Sequence, residues 1–158
     1  MNGYNLVNDG KYEQALKLAN SCLNFDKKAS LSGRDTKAYC LFKMKKYEES
    51  FAILDKRLLF APTDSFALLL KTFRLSLIWL HEEAIKSANK FIRVARNDPK
   101  SSKVYEAYSM KALVLYYAWK YMESIIYYKK SLKSKPLRKL IRNNAQKWIE
   151  MCNIGLWK

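Results

Sequence analysis

The pentapeptide KYEES at residues 46–50 decides the fold, because three close variants of it occur elsewhere in the chain. The variants are KYEQA at 11–15, LHEEA at 80–84 and KYMES at 120–124. Each has a ring at its second position and a small residue at its fifth. The rings stand at positions 12, 47, 81 and 121, so they are spaced by 35, 34 and 40 residues. A period of this length is typical of arrays of helical repeats.

The residues around each ring favour a helix that begins at the ring. Acidic residues follow in what would be the first helical turn, where the helix dipole stabilises them. The small residue three positions after the ring marks a point where a neighbouring helix comes close. Pro62, Pro99 and Pro136 recur at intervals of 37 residues and would follow helix ends, because proline cannot continue a helix. With 4 Gly and 3 Pro in 158 residues, the chain also lacks the turn residues of an all-β fold.

These residues resemble the tetratricopeptide repeat (TPR) family, whose unit is a helix pair of about 34 residues with small packing residues and a closing proline. The resemblance implies an all-α, right-handed superhelical solenoid of antiparallel helix pairs that forms a single domain over residues 1–158. The repeats are expected at 1–29, 30–64, 65–102 and 103–136, followed by a capping helix at 137–154. The first repeat lacks most of its leading helix, and the third departs from the pattern at His81.

Apolar periodicity gives a helix map. The predicted helices span 2–8, 11–25, 31–44, 47–60, 64–78, 81–97, 102–118, 121–134 and 137–154. Trp79 and Trp119 each stand just before the second helix of a repeat. This recurrence predicts packing at the turn between the paired helices rather than stacking on a ligand.

In TPR proteins the first helices of the pairs line a concave groove that holds an extended peptide or a partner helix. Alignment of the repeats on Tyr47, His81 and Tyr121 places apolar and aromatic residues at the groove positions of this chain. They are Tyr39, Phe42, Phe66, Leu69, Phe73, Leu77, Leu113, Tyr116 and Tyr117. The same register adds Tyr4, Asp35, Lys43, Ser76, Glu106 and Ser109. An apolar groove suits a hydrophobic segment or an amphipathic helix, although these rings could instead be buried as core.

One class of TPR partner is disfavoured by the residues at these positions. Family members that bind chaperone tails clamp a carboxylate with Lys, Asn and Arg. Here the corresponding positions hold Tyr4, Asp35, Tyr39, Leu69 and Phe73, so that no clamp is expected.

Positive charge is the second candidate feature. The chain has 30 Lys and Arg against 14 Asp and Glu, a net charge of +16, and residues 86–158 hold most of the excess. The C-terminal basic cluster consists of Lys129, Lys130, Lys133, Lys135, Arg138, Lys139, Arg142 and Lys147. Interleaved Tyr127, Tyr128 and Trp148 would suit RNA, which is bound through phosphate contacts and base stacking. A solvated helix face explains the lysines equally, and Tyr128 occupies an inward repeat position.

Catalytic, metal and cofactor sites are not expected. Cys22, Cys40 and Cys152 lie far apart without a CxxC pair, which predicts free thiols in a reducing, intracellular compartment. His81 stands where other repeats have tyrosine and is expected to pack. No glycine-rich phosphate loop, HExxH or GxSxG motif occurs.

No membrane span is expected either. The most apolar stretch, 66–80, is interrupted by Lys71 and Arg74 and is shorter than the roughly 20 residues that a span requires. The leading hypothesis is therefore a non-enzymatic adaptor or scaffold that binds another protein, with RNA or polyanion binding as the alternative. Self-association follows as a third possibility if the truncated first repeat needs a neighbour.

Overall fold

A computed structural model describes residues 3–23, 27–98, 103–134, 147 and 149–154, and over these ranges the regular structure is entirely helical. The helices are α1 Gly3–Asn8, α2 Tyr12–Cys22, α3 Lys27–Lys43, α4 Tyr47–Phe60, α5 Ser65–Leu77, α6 His81–Asn97, α7 Val104–Tyr117 and α8 Tyr121–Lys133. Residues 149–154 are helical as well. The remainder of the predicted capping helix lies outside the described residues.

Most helix boundaries agree with the prediction to within two residues, but those around α3 do not. Helix α2 ends at Cys22 rather than at residue 25, because the N–H of Leu23 bonds to Asn20 O only three residues back, which tightens the last turn. Helix α3 begins at Lys27 rather than at residue 31. The sequence before residue 31 contains no helix-breaking residue that would delay this start.

The chain divides into two compact units, Met1–Pro62 and Thr63–Lys158. In the first, α1 packs on α2 and α3, and α3 also packs on α4. In the second, α5 packs on α6, α6 on α7 and α7 on α8, while α5 also lies against α7. The first helices of two successive pairs are therefore neighbours in the second unit. The single domain over 1–158 and its four repeat boundaries stay predictions.

The small residues after each ring lie at tight helix contacts, as predicted. Ala15, Ser50, Ala84 and Ser124 are all 0% exposed. The hydroxyl of Ser50 donates to Ala38 O and that of Ser124 donates to Ala112 O, both at 2.7 Å. Because these hydroxyls bond to the first helix of their own pair, a polar residue is accommodated in a fully buried position.

One turn geometry joins the two helices of each pair. The chain passes through a positive φ at Gly10 (76°), Lys45 (63°), Trp79 (63°) and Trp119 (61°). In the second turn, the N–H of Lys45 donates to Phe42 O at 3.0 Å and that of Lys46 donates to Leu41 O at 2.9 Å. The other three turns repeat this pair of bonds, which is the Schellman pattern at helix ends.

We expect Lys45→Gly to raise the free energy of unfolding by about 1 kcal/mol, because glycine adopts positive φ without the strain that other residues suffer. Lys45 is exposed, so little packing is lost. Lys46→Gly is the matched control, since Lys46 has a φ of −81° and gains no such relief. Urea denaturation of the three proteins checks the expectation. A loss of stability in both variants would contradict it.

Candidate partner-binding site

An apolar stripe runs along α5 and reaches the surface. Phe66, Phe73 and Leu77 are 42%, 40% and 44% exposed, and their spacing of seven and four residues places them on one helix face. Leu69 on the same helix is half-buried. The carboxylate of Asp64 accepts the N–H groups of Phe66 and Ala67 at 3.0 Å, which fixes the start of the helix.

Helix α7 places three further predicted residues beside α5. Leu113, Tyr116 and Tyr117 are half-buried. The ring of Tyr116 lies 5.8 Å from that of Tyr117 and 5.5 Å from that of Tyr121. Seven predicted groove residues thus lie on two adjacent helices of the second unit. We call this set the groove residues: Phe66, Leu69, Phe73, Leu77, Leu113, Tyr116 and Tyr117.

The two predicted groove residues of the first unit contribute to packing. Tyr39 stacks against Tyr4 with ring centroids 5.3 Å apart, and its hydroxyl donates to Asn8 Oδ1 at 2.7 Å. Phe42 packs against Tyr47 and Phe51 of α4, at 5.2 and 6.5 Å. In this unit the two half-buried rings join α3 to α1 and α4.

Polar residues at groove positions are engaged within their own helix pairs. The buried carboxylate of Asp35 accepts from Arg57 Nη1 at 2.7 Å. Ser109 and Ser131 share a hydrogen bond of 2.6 Å. Ser76 is buried and donates to Phe73 O of its own helix at 2.7 Å. The side chains of Asp35, Ser76 and Ser109 therefore form hydrogen bonds within the protein.

Trp79 and Trp119, which were predicted to pack at the turns between paired helices, contact the rings of His81 and Tyr121 there but are not buried. Their side chains are 62% and 71% exposed. Each tryptophan has a left-handed backbone conformation in the turn that follows the first helix of its pair. The residue is exposed because this turn lies at the end of the helix pair. Trp79 still covers His81 edge-on at 5.6 Å. His81 itself is half-buried, as expected of a packing residue, and its Nδ1 has no hydrogen-bond partner among the described residues.

The described part of the basic cluster is on the surface. Lys129, Lys130, Lys133 and Lys147 are exposed, whereas Lys135, Arg138, Lys139 and Arg142 lie outside the described residues. Lys130 Nζ lies 4.8 Å from the centroid of the Tyr127 ring, a cation–π contact. Tyr128 is only 5% exposed, and burial raises its pKa well above the ordinary value. Tyr127 is half-buried, and its ring also contacts Lys111 and Tyr108.

A lysine–asparagine contact that the sequence analysis missed recurs in both units. Lys37 Nζ donates to Asn20 Oδ1 at 3.2 Å, and Lys111 Nζ donates to Asn89 Oδ1 at 2.6 Å. Lys111 also donates to the hydroxyl of Tyr127 at 2.8 Å. Each lysine stands ten residues before a ring and each asparagine eight residues after the preceding ring. The repeat register therefore carried a signal for this contact.

The cysteines are free thiols, and two of them are buried. Burial raises the pKa of the Cys40 and Cys152 thiols, so both stay protonated and poorly nucleophilic at neutral pH. Cys152 Sγ lies 3.6 Å from Ser124 Oγ, which docks the helical residues 149–154 on α8.

Within the described ranges, no group of three or more His, Cys, Asp and Glu side chains could hold a metal ion. Across the same ranges, no helix combines the length and apolar character needed to cross a membrane.

Comparison with known proteins supports the architecture. No protein-family model matches the sequence, and no curated protein matches it. Among solved structures, MamA from AMB-1, a TPR-containing protein, is 14% identical with a TM-score of 0.61, covering 98% of this chain and 78% of MamA. A mutant of MamA gives the same TM-score at 16% identity, covering 98% and 79% of the two chains. At such identity the likeness shows the fold alone, and the chain has the all-α fold of a TPR-like helical solenoid.

Proposed function

We propose that the protein is a non-enzymatic adaptor of four TPR-type repeats and a capping helix that binds a segment of another protein through its groove residues. The exposed apolar stripe of α5 carries the proposal. Phe66, Phe73 and Leu77 each leave about two fifths of their surface in water. Covering that remainder would contribute about 0.5–1 kcal/mol per side chain. Exposed apolar patches of this kind usually mark interaction sites.

The geometry favours an apolar segment as the ligand. The exposed stripe lies on one face of α5, and half-buried Leu113, Tyr116 and Tyr117 of the neighbouring α7 extend it. Parallel apolar stripes on adjacent helices form the kind of surface on which the apolar face of an amphipathic helix packs. The tyrosine hydroxyls add hydrogen-bonding groups beside apolar rings, a combination common in protein interfaces.

Binding of RNA or another polyanion is the alternative function. Lys129, Lys130, Lys133 and Lys147 are exposed, and no carboxylate lies within ion-pairing distance of them among the described side chains. Lysines free of carboxylates can neutralise phosphates and release counterions. This alternative uses α8 and the C-terminal residues, and it does not require the stripe on α5.

A quantitative pull-down from the native cell extract tests the adaptor function. We expect Phe73→Asp and Tyr116→Asp to reduce retention of the partner at least about ten-fold, because a charge placed in an apolar interface must be desolvated. Phe60→Asp is the matched control, since Phe60 is 77% exposed on α4 and is not one of the groove residues. Circular dichroism of each variant verifies that the helices are retained.

The outcomes separate the two functions. Equal retention by the wild type, Phe73→Asp and Tyr116→Asp would rule out the groove as the binding site. Retention of RNA that falls steeply with salt, and that neutralisation of Lys129, Lys130 and Lys133 abolishes, would favour the alternative.

A further inference from the structure

Two tryptophans occupy positions that disfavour them. Trp79 and Trp119 adopt φ values of 63° and 61°, a region that glycine enters freely and bulky residues avoid. The equivalent turn after α1 uses Gly10. The two residues are also 62% and 71% exposed, so burial in a core does not account for them. An unfavourable backbone that carries an exposed aromatic ring is an observation from which a functional contact can be inferred.

Ring contacts connect the two tryptophans. Trp79 lies 6.5 Å from Tyr117, Tyr117 lies 5.8 Å from Tyr116, and Tyr116 lies 5.5 Å from Tyr121. Tyr121 in turn lies 6.1 Å from Trp119. We call these five residues the aromatic ridge. Tyr116 and Tyr117 are also groove residues. The ridge therefore continues the groove towards the turns that precede α6 and α8.

The ridge is next to negative charge in an otherwise cationic unit. Residues 63–158 contain 19 basic and 7 acidic residues. Three of the acidic residues, Glu82, Glu83 and Glu123, lie in the first turns of α6 and α8, which begin two residues after each tryptophan. All three are exposed. Lys120 pairs with Glu82 at 3.4 Å, so carboxylates outnumber ammonium groups at these turns.

We propose that the aromatic ridge receives an arginine side chain of the partner segment that lies in the groove. A guanidinium stacks on aromatic faces and forms paired hydrogen bonds with carboxylates, and this edge offers both kinds of group. The inference rests on the adaptor function and specifies the chemistry of its ligand: an apolar segment followed by arginine.

Charge complementarity distinguishes this ligand from an acidic one. A phosphate or an acidic peptide at the ridge would face Glu82, Glu83 and Glu123, whereas the exposed lysines of α8 would attract it elsewhere. The ridge therefore favours a cationic group within a chain whose net charge is +16.

Synthetic amphipathic peptides with one leucine-rich face test the proposal. Each peptide ends in arginine, in citrulline, which has nearly the same shape without the charge, or in glutamate. We expect the arginine form to bind the wild type about ten-fold more tightly than the citrulline form in calorimetry. Trp119→Leu and Trp79→Leu should reduce that ratio towards one and leave the affinity for the citrulline form nearly unchanged. Phe60→Leu, which alters an exposed ring on α4, should keep the full ratio.

The results distinguish failure of the inference from failure of the adaptor function. Equal affinity for the arginine and citrulline forms, or preference for glutamate, would overturn the arginine proposal and leave the groove as a binding site. Retention of the full ratio by both tryptophan variants, with circular dichroism unchanged, would also overturn it. Absence of binding by every peptide would overturn both.

Discussion

Replacing Phe91 by alanine is expected to lower the free energy of unfolding by about 3–5 kcal/mol. Phe91 lies on α6, is 0% exposed and is the largest of the fully buried side chains in the described ranges. The substitution removes a whole ring from a closely packed contact, so the loss of apolar burial is added to the cost of the cavity. The single change should therefore remove a large part of the stability of a domain of this size.

Phe91→Leu is the matched control for this prediction. Leucine fills most of the same volume, so we expect a loss of less than about 2 kcal/mol. Urea denaturation followed by circular dichroism measures both variants, and tryptophan fluorescence provides a second probe of whether unfolding remains cooperative. A loss below about 1 kcal/mol for Phe91→Ala would contradict the prediction. It would mean that the neighbouring helices move together and fill the cavity.

The repeat register explains why Phe91 holds this position. It stands ten residues after its ring, His81, and the register places it opposite Leu69, twelve residues before that ring. In the second repeat the same two positions are Arg57 and Asp35, which form an ion pair. In the fourth repeat they are Ser131 and Ser109, which share a hydrogen bond. One pair of register positions thus holds an ion pair in the second repeat and a shared hydrogen bond in the fourth, and the register predicts an apolar contact in the third.

This variation marks the limit of what the sequence could predict. The spacing of rings predicted the pairing of helices and the burial of Ala84 and Ser124, because backbone geometry makes the register regular. The register also predicted the stripe that includes Phe73. It could not tell which groove positions would be used internally, because Asp35 becomes structural only through the arginine opposite to it.

The turns were harder to predict for a different reason. The glycine at residue 10 indicates a positive φ, but lysine at residue 45 and tryptophan at residues 79 and 119 do not. Their conformation follows from the two hydrogen bonds that close each preceding helix, which only the structure displays. Exposure of the tryptophans depends on that conformation, so it could not be inferred from the recurrence of tryptophan alone.

The ion pair between Asp35 and Arg57 leads to the second large effect. The two side chains are 12% and 13% exposed, and Arg57 Nη1 lies 2.7 Å from Asp35 Oδ1. Asp35→Ala removes this carboxylate and leaves the guanidinium largely excluded from water. Because removing one partner of a buried pair typically costs 3–5 kcal/mol, and this pair retains some solvent contact, we expect a loss of about 3 kcal/mol.

Copying an apolar pair from the third repeat is expected to restore the stability that the loss of this ion pair removes. The double variant Asp35→Leu with Arg57→Phe transfers the residues of positions 69 and 91 to the second repeat. We expect its stability to lie within about 1 kcal/mol of the wild type, because an apolar pair of suitable volume replaces a buried ion pair at little cost. Each single substitution should be more destabilising than the pair, which a double-mutant cycle measures as a coupling energy. Additive losses would contradict the expectation that leucine and phenylalanine at these two positions pack against each other.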